Sequence, residues 1–191
     1  MTDLILASQS PRRAALLDQL GIRYRVQVAD IKEDPLPEEN VESLVMRLAV
    51  EKSEALNAHG LPVLGADTLG IIDDQLLVKP DNFEHAYTML SHMSGNWHTI
   101  LTAVAITHNQ QSQVLLNKNR VLFRTLTKKE IEAYWQTGEP QDKAGAYAIQ
   151  GIAASFIERI EGSYSGIMGL PLFETSQLLA QTGVNVLTGQ K

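Results

Sequence analysis

The segment Leu4-Ile5-Leu6-Ala7-Ser8-Gln9-Ser10-Pro11-Arg12-Arg13 passes from an unbroken apolar run into a polar turn that opens a helix. Leu4 to Ala7 reads as a buried strand. Ser10 can cap the helix, Pro11 suits its first position because the missing N–H would be unpaired there anyway, and Leu16, Leu17 and Leu20 supply its apolar face. Gly21 ends it. A strand feeding straight into a helix sets an α/β alternation, and the rest of the chain continues it.

Tyr24 to Val28 predicts a second strand, followed by an acidic, proline-bearing loop over 30–39. A long helix over 41–58 follows, striped by Leu44, Val45, Leu48 and Ala49. Leu61 to Ala66 is a third apolar run, and Ile71-Ile72 with Leu76 to Val78 flank Asp73-Asp74-Gln75 as a hairpin. Asp81 with Glu84 predicts a capped helix running through Ala86, Met89, Leu90 and Met93 to Gly95. A second hairpin pairs 98–106 with 114–123 through the polar 108–113, and Thr127 with Glu130 has capping-box spacing before Ile131, Tyr134 and Trp135. The segment 144–151 is small and flexible, 153–160 is strand-like, and 172–181 is the last helix. Strands and helices interleave without a strict βαβ rhythm, which predicts an α/β fold with a mixed β-sheet flanked by helices. No repeat or linker divides the chain, so 1–191 reads as a single domain.

Composition narrows the chemistry. The 191 residues are 44% hydrophobic and 20% charged, enough for a core without staples. With no cysteine, disulfides, thiolate metal sites and cysteine nucleophiles are excluded together. The start carries no basic leader, and no run approaches the roughly 20 apolar residues of a membrane span, so a soluble, cytoplasmic protein with no membrane partner is expected. A net charge of −6 argues against tracking a nucleic-acid backbone, which calls for clustered Lys and Arg. A small anion needs only a local basic pocket.

Ser8, Ser10, Arg12 and Arg13 at a helix start outline such a pocket, since free N–H groups, hydroxyls and guanidinium groups all favour phosphate. A capped helix with solvated arginines has the same sequence, and the P-loop pattern is missing. Asp67, after Val63-Leu64-Gly65-Ala66, is expected at the mouth of a strand, with Thr68 extending the polar patch. A carboxylate there can hold a metal, deprotonate a water, or close the strand as an Asx-turn. Glu33 stands in an acidic loop of the kind that is usually just solvated, and Lys52 stands where Arg47 and Glu51 form an i,i+4 helix pair. Pro80 holds Lys79 extended, aiming its ammonium from a strand end. The five histidines, at 59, 85, 92, 98 and 108, lack metal-ligand spacing and read as surface or packing residues.

Taken together, Leu6-Ala7-Ser8 with Ser10-Pro11-Arg12-Arg13, Arg47-Leu48-Ala49 with Lys52, Gly65-Ala66-Asp67-Thr68, Lys79-Pro80, Asp142-Lys143-Ala144-Gly145-Ala146-Tyr147 with Gln150-Gly151, and Gly169-Leu170-Pro171-Leu172 resemble the Maf-like nucleoside triphosphate pyrophosphatases almost end to end. The resemblance implies a fold related to the inosine triphosphatases, with two lobes around a cleft, a divalent cation (Mg2+ or Mn2+) and a homodimer. It also implies Asp67 as general base, Glu33 as its partner near metal and water, Asp67 and Glu33 as metal candidates, and Lys52 and Lys79 as phosphate-neutralising groups. Ser8, Ser10 and Arg13 would line the triphosphate cradle, and Lys143 belongs to the substrate-binding set. Lys32, where relatives often carry a second acid, and Gly70, where they carry a larger apolar residue, depart from the pattern.

Within that family the chain resembles the dTTP/UTP type at Arg12, Thr68 and Gln150. Uracil and thymine present acceptor, donor, acceptor along the pairing edge, which a Gln amide can meet with one donor and one acceptor, whereas a guanine edge suits Glu. The expected reaction is hydrolysis of dTTP and UTP to the monophosphate and pyrophosphate. The alternatives are a 7-methyl-GTP or broad modified-nucleotide pyrophosphatase and a non-enzymatic nucleotide-binding regulator of septum formation.

Overall fold

The computed structural model describes residues 3–56 and 60–186. Seven strands form one mixed sheet in the order β2-β1-β3-β5-β6-β7, with β4 paired to β3. β1 (Leu4–Leu6) runs parallel to both β2 (Tyr24–Val26) and β3 (Val63–Ile72). Its three residues are fully buried, as a strand covered on both faces requires, which is why the opening run is apolar without alternation. The two hairpins are antiparallel partners of the remaining sheet: β4 (Gln75–Leu77) folds back on β3, and β5 (Trp97–His108) leads to β6 (Gln111–Phe123), which pairs with β7 (Ile157–Glu161). The mixed α/β architecture expected from the sequence is the one observed.

The chain divides into two compact units: Met1–Thr68, Leu101–Asn117 and Ser165–Lys191 form the first, Leu69–Ile100 and Lys118–Tyr164 the second. In the first, α1 (Pro11–Asp18), α2 (Val41–Glu54) and α6 (Leu172–Gln181) accompany the parallel strands. Leu4, Leu6, Leu16, Leu17, Leu64, Val104 and Leu179 meet in its main core. α2 lies unusually close to β3, because a Cβ on Gly65 would stand only 2.4 Å from the Ala49 carbonyl oxygen and 2.7 Å from the Ser53 nitrogen. The second unit holds α3 (Phe83–Met93) and α4 (Lys128–Gln136) and packs aromatic rings edge to face. His98, Phe123 and Tyr147 lie 4.9–5.4 Å apart by ring centroids, and Tyr134 lies 5.0 Å from Phe156.

Several local expectations change. Ser10 occupies the cap position of α1 but makes no cap bond; the Ser8 hydroxyl instead accepts from the Ser10 N–H at 3.1 Å. α3 is capped by Asn82 rather than Asp81, its carbonyl oxygen accepting from His85 N at 2.9 Å, while Asp81 pairs with the His85 ring. α2 ends at Glu54, and the expected continuation through 57–58 lies outside the described residues, as does His59. The second hairpin turns on Asn109 and Gln110 alone, and the first on Asp73 and Asp74, all four with positive φ as tight two-residue turns demand. Residues 152–156 are a 3-10 turn, so the last strand begins only at Ile157. The short helix α5 (Tyr164–Met168) was not anticipated.

Candidate active site

Asp67 does not stand at the end of β3 and closes no turn, because the strand continues for five more residues to Ile72. The strand end that matters belongs to its neighbour: β1 pairs with β3 only as far as Leu6 opposite Leu64, with the Ala7 N–H donating to Leu64 O at 2.8 Å. Asp67 lies three residues past that point, beyond the carboxyl end of parallel β1, where open α/β sheets receive ligands. The side chain is buried, with the residue only 6% exposed. A carboxylate so placed must have a positive partner.

Lys52 is that partner. Its Nζ donates to Asp67 Oδ1 at 2.7 Å and pairs with Glu33 Oε1 at 2.6 Å. Lys52 continues the inward stripe of α2 from Val45, Leu48 and Ala49, so it faces the sheet rather than the solvent, and the close contact at Gly65 brings it within reach. The Arg47–Glu51 helix pair does form, at 3.1 Å, but Arg47 does more. Its guanidinium grips Glu39 through two 2.7 Å bonds and donates to the Asp34 carbonyl at 3.1 Å, tying down the irregular acidic loop one residue beyond Glu33. Arg47 holds the Glu39 carboxyl well below its usual range, at about 2. Glu33 thus pairs with Lys52 from a clamped loop, although its own side chain stays 59% exposed.

The helix-start residues form a connected cradle within the same unit. Arg13 donates through Nε to Gly169 O at 2.8 Å, through one terminal nitrogen to Ser8 Oγ at 3.3 Å, and through the other to Thr68 Oγ1 at 3.4 Å. Thr102 Oγ1 donates to Gly166 O at 2.8 Å and lies 3.0 Å from Thr68 Oγ1. Burial pulls the Arg13 pKa below its ordinary value, and the Asp67 charge opposes that shift. Arg12 and Ser10 are half-buried on the same turn. Gly169, quoted above within its motif, supplies its carbonyl to Arg13, whereas Thr102 was not anticipated. The one signal was a hydroxyl inside the otherwise apolar run Leu101 to Ile106.

In the second unit, Lys79 is exposed immediately after Val78, whose carbonyl accepts from Gly145 N at 2.9 Å. The segment carrying Lys143 is thereby docked beside the one carrying Lys79. The Lys143 ammonium pairs with the neighbouring Asp142. Gln150 is exposed on a turn closed by Gly151 N donating to Ala148 O at 3.0 Å. His98, 2% exposed, is a packing residue whose Nε2 meets the Tyr147 hydroxyl at 2.8 Å, and burial lowers its pKa to about 4.

Whether the site suits a divalent cation can be judged from its donors. Asp67 Oδ2 is buried without a hydrogen-bond partner among the described residues, and Asp67 and Glu33 already converge on one positive centre. Among the described residues no three His, Asp or Glu side chains gather to hold a metal. Two carboxylates with a free oxygen fit a hard cation that completes its shell with phosphate oxygens and water, the habit of Mg2+.

The first unit of this α/β protein thus sets a buried carboxylate, past the end of parallel β1, beside a cradle of guanidinium and hydroxyl groups, a donor set that favours anions. The sequence profile of the Maf-like protein family matches residues 3–182, and the chain belongs to that family. It is 50% identical over 184 residues to the dTTP/UTP pyrophosphatase of Pseudoalteromonas atlantica, covering 93% of this chain and 96% of that one. It is 48% identical over 198 aligned positions to the dTTP/UTP pyrophosphatase of Nitrosomonas europaea, covering 96% of each. A third dTTP/UTP pyrophosphatase, from Methylobacillus flagellatus, is 47% identical over 190 positions, covering 97% of this chain and 96% of its own.

Proposed function

We propose that this protein hydrolyses dTTP and UTP between the α and β phosphates, giving the nucleoside monophosphate and pyrophosphate. The observation that carries the mechanism is the buried Asp67–Lys52 pair, joined from the solvent side by Glu33, beside the Arg13 cradle. The names of the relatives supply the substrate class.

Asp67 is the base. One carboxylate oxygen is held by Lys52, which fixes the side chain and compensates its charge, and Oδ2 is left to take a proton from water. The water oxygen bonds to the α-phosphorus, the bond from that phosphorus to the bridging oxygen breaks, and its electron pair leaves with pyrophosphate. Arg13 and the Ser8 hydroxyl meet phosphate oxygens, and the family resemblance adds Lys79 as a phosphate-neutralising group and Lys143 as a substrate-binding one. A divalent cation held by Asp67 and Glu33 would supply neutralisation of the triphosphate and a lowered pKa for bound water. Gln150 and Arg12 read the base. Thr68, whose hydroxyl is engaged by Arg13 and Thr102, acts by holding the cradle's shape.

Pyrophosphate release with UTP, dTTP, GTP and 7-methyl-GTP, each with Mg2+ or Mn2+ and with chelator, tests the proposal. UTP and dTTP should give the highest kcat/KM, and chelator should abolish turnover. Preference for 7-methyl-GTP would overturn the base assignment, and no hydrolysis of any triphosphate would overturn the activity. The homodimer and the cytoplasmic location belong to the same proposal, on the strength of the family resemblance. Sedimentation at the sequence mass of 21.1 kDa would refute the dimer.

A further inference from the structure

Glu139 belongs to none of the motifs above, yet its surroundings are unusual. It follows Gly138, whose φ of 78° is left-handed, and begins a 3-10 turn after α4. Its Oε2 accepts from Ile152 N at 2.8 Å, and its Oε1 accepts from Ala153 N at 3.2 Å and from the Tyr134 hydroxyl at 2.7 Å. Tyr134 is buried in α4 and stacked edge to face on Phe156, so the carboxylate is fixed to a rigid element. It lies directly over Gly151, where a Cβ would come within 2.3–2.4 Å of both its oxygens. Any side chain at 151 would expel it. The residue before Gly151 is Gln150.

Besides Glu139, the short-range bonds Gly151 N to Ala148 O and Ala154 N to Gly151 O hold the turn at Gln150, together with a backbone hydrogen bond from Ala148 to the same Tyr134 hydroxyl that Glu139 engages. The Ile152 side chain adds little, being 52% exposed. Burial works against ionisation of Glu139, but the N–H of Ile152, the Tyr134 hydroxyl and the N–H of Ala153 outweigh it and hold the pKa below its ordinary value. The group is a carboxylate gripping two successive backbone donors, a strong form of hydrogen bond.

We infer that Glu139 is a positioning residue for base selection: seated over Gly151 and bonded to the N–H groups of Ile152 and Ala153, it fixes where the Gln150 amide stands. This inference rests on the proposed role of Gln150. The same grip explains why 152–156 turns instead of extending as a strand.

Glu139→Gln keeps the size but sets an amide NH2 against backbone donors, and Gly151→Ala displaces the carboxylate without altering it. Both are compared with Gln150→Ala and the parent enzyme by two readouts below their melting temperatures: amide hydrogen exchange over 148–156, and the ratio of kcat/KM for UTP to that for GTP. Exchange at Ile152 and Ala153 should quicken in both variants. The UTP:GTP ratio should fall roughly tenfold, the effect of about 1.4 kcal/mol of lost discrimination. Glu139→Asp should recover part of the ratio. Unchanged exchange, or faster exchange with an unchanged ratio while Gln150→Ala lowers it, overturns the inference. A Gln150→Ala enzyme with the parent ratio overturns the base-reading role on which the inference rests, and it does so whatever the exchange data show.

Discussion

Gly65→Ala adds one methyl group away from every reacting atom, yet it should cripple the enzyme. The new Cβ would meet the Ala49 carbonyl oxygen at 2.4 Å and the Ser53 nitrogen at 2.7 Å, where ordinary contact begins at 3.4 Å. Both are backbone atoms of α2, so no rotamer change relieves them, and the helix must retreat from β3 by up to about 1 Å. Lys52 sits between those two residues. Its 2.7 Å bond to Asp67 would then stretch to about 3.7 Å, beyond the range of a hydrogen bond. A displacement of that size at a catalytic constellation costs about 10²-fold in rate. Overpacking of this kind costs about 1–3 kcal/mol, a Tm loss of about 2–12 °C for a chain of this length. Pyrophosphate release from UTP at 20 °C, with circular dichroism and thermal melting on the same preparation, reads both effects. Parent-like kcat/KM would show that the spacing of α2 and β3 does not set the Lys52–Asp67 contact.

Asp67→Asn is nearly isosteric and should abolish hydrolysis while leaving the circular dichroism spectrum intact; near-parental turnover in folded protein removes Asp67 from the mechanism. Lys52→Ala and Lys79→Ala should each lower kcat, and Lys52→Ala should also lower the Tm because it strands a buried carboxylate, a loss of about 3–5 kcal/mol, whereas exposed Lys79 should leave the Tm unchanged. Equal melting of the two variants would contradict the burial argument. With its pKa depressed to about 2 by Arg47, the Glu39 carboxylate contributes stability that is fully present above the ordinary carboxyl value of 4.5 and is lost as pH falls toward 2. Arg47→Ala should erase that acid-side dependence in urea titrations and lower activity by releasing the Glu33 loop; a parental pH profile would show that the clamp is incidental.

The Lys52 bridge is an expensive device for stability alone. Desolvating two charges commonly offsets their attraction, and an apolar replacement often serves a fold as well. Its retention on the buried stripe of α2 makes sense if the carboxylate has work to do when a polyanion and a cation arrive. Asp67 Oδ2, without a hydrogen-bond partner among the described residues, is consistent with that. A group placed only for packing would have had its second oxygen satisfied.

Local physics settled much in advance. An apolar run turning into Ser8 to Arg13 could only be a strand feeding a helix start, Thr127 and Glu130 could satisfy each other only as a capping box, and the stripe of α2 lay at helical spacing. Residue types also pointed to the candidate chemistry, because serines and arginines at a helix start and a carboxylate after an apolar run are groups able to bind phosphate and activate water. What the linear chain did not show was range and pairing. Asp67 sits in mid-strand, and only the earlier ending of its neighbour β1 makes the position a mouth. Lys52 reaches Asp67 because Gly65 lets α2 approach, and Glu33 reaches Lys52 from a loop that Arg47 and Glu39 clamp. Glu139 is bonded to residues 13 and 14 positions later through backbone N–H groups that every amino acid but proline carries, so no pattern of side chains could announce it. Short-range hydrogen bonds and apolar periodicity are written in neighbouring residues. Contacts between distant segments depend on where the sheet brings them, and the tertiary structure alone decides that.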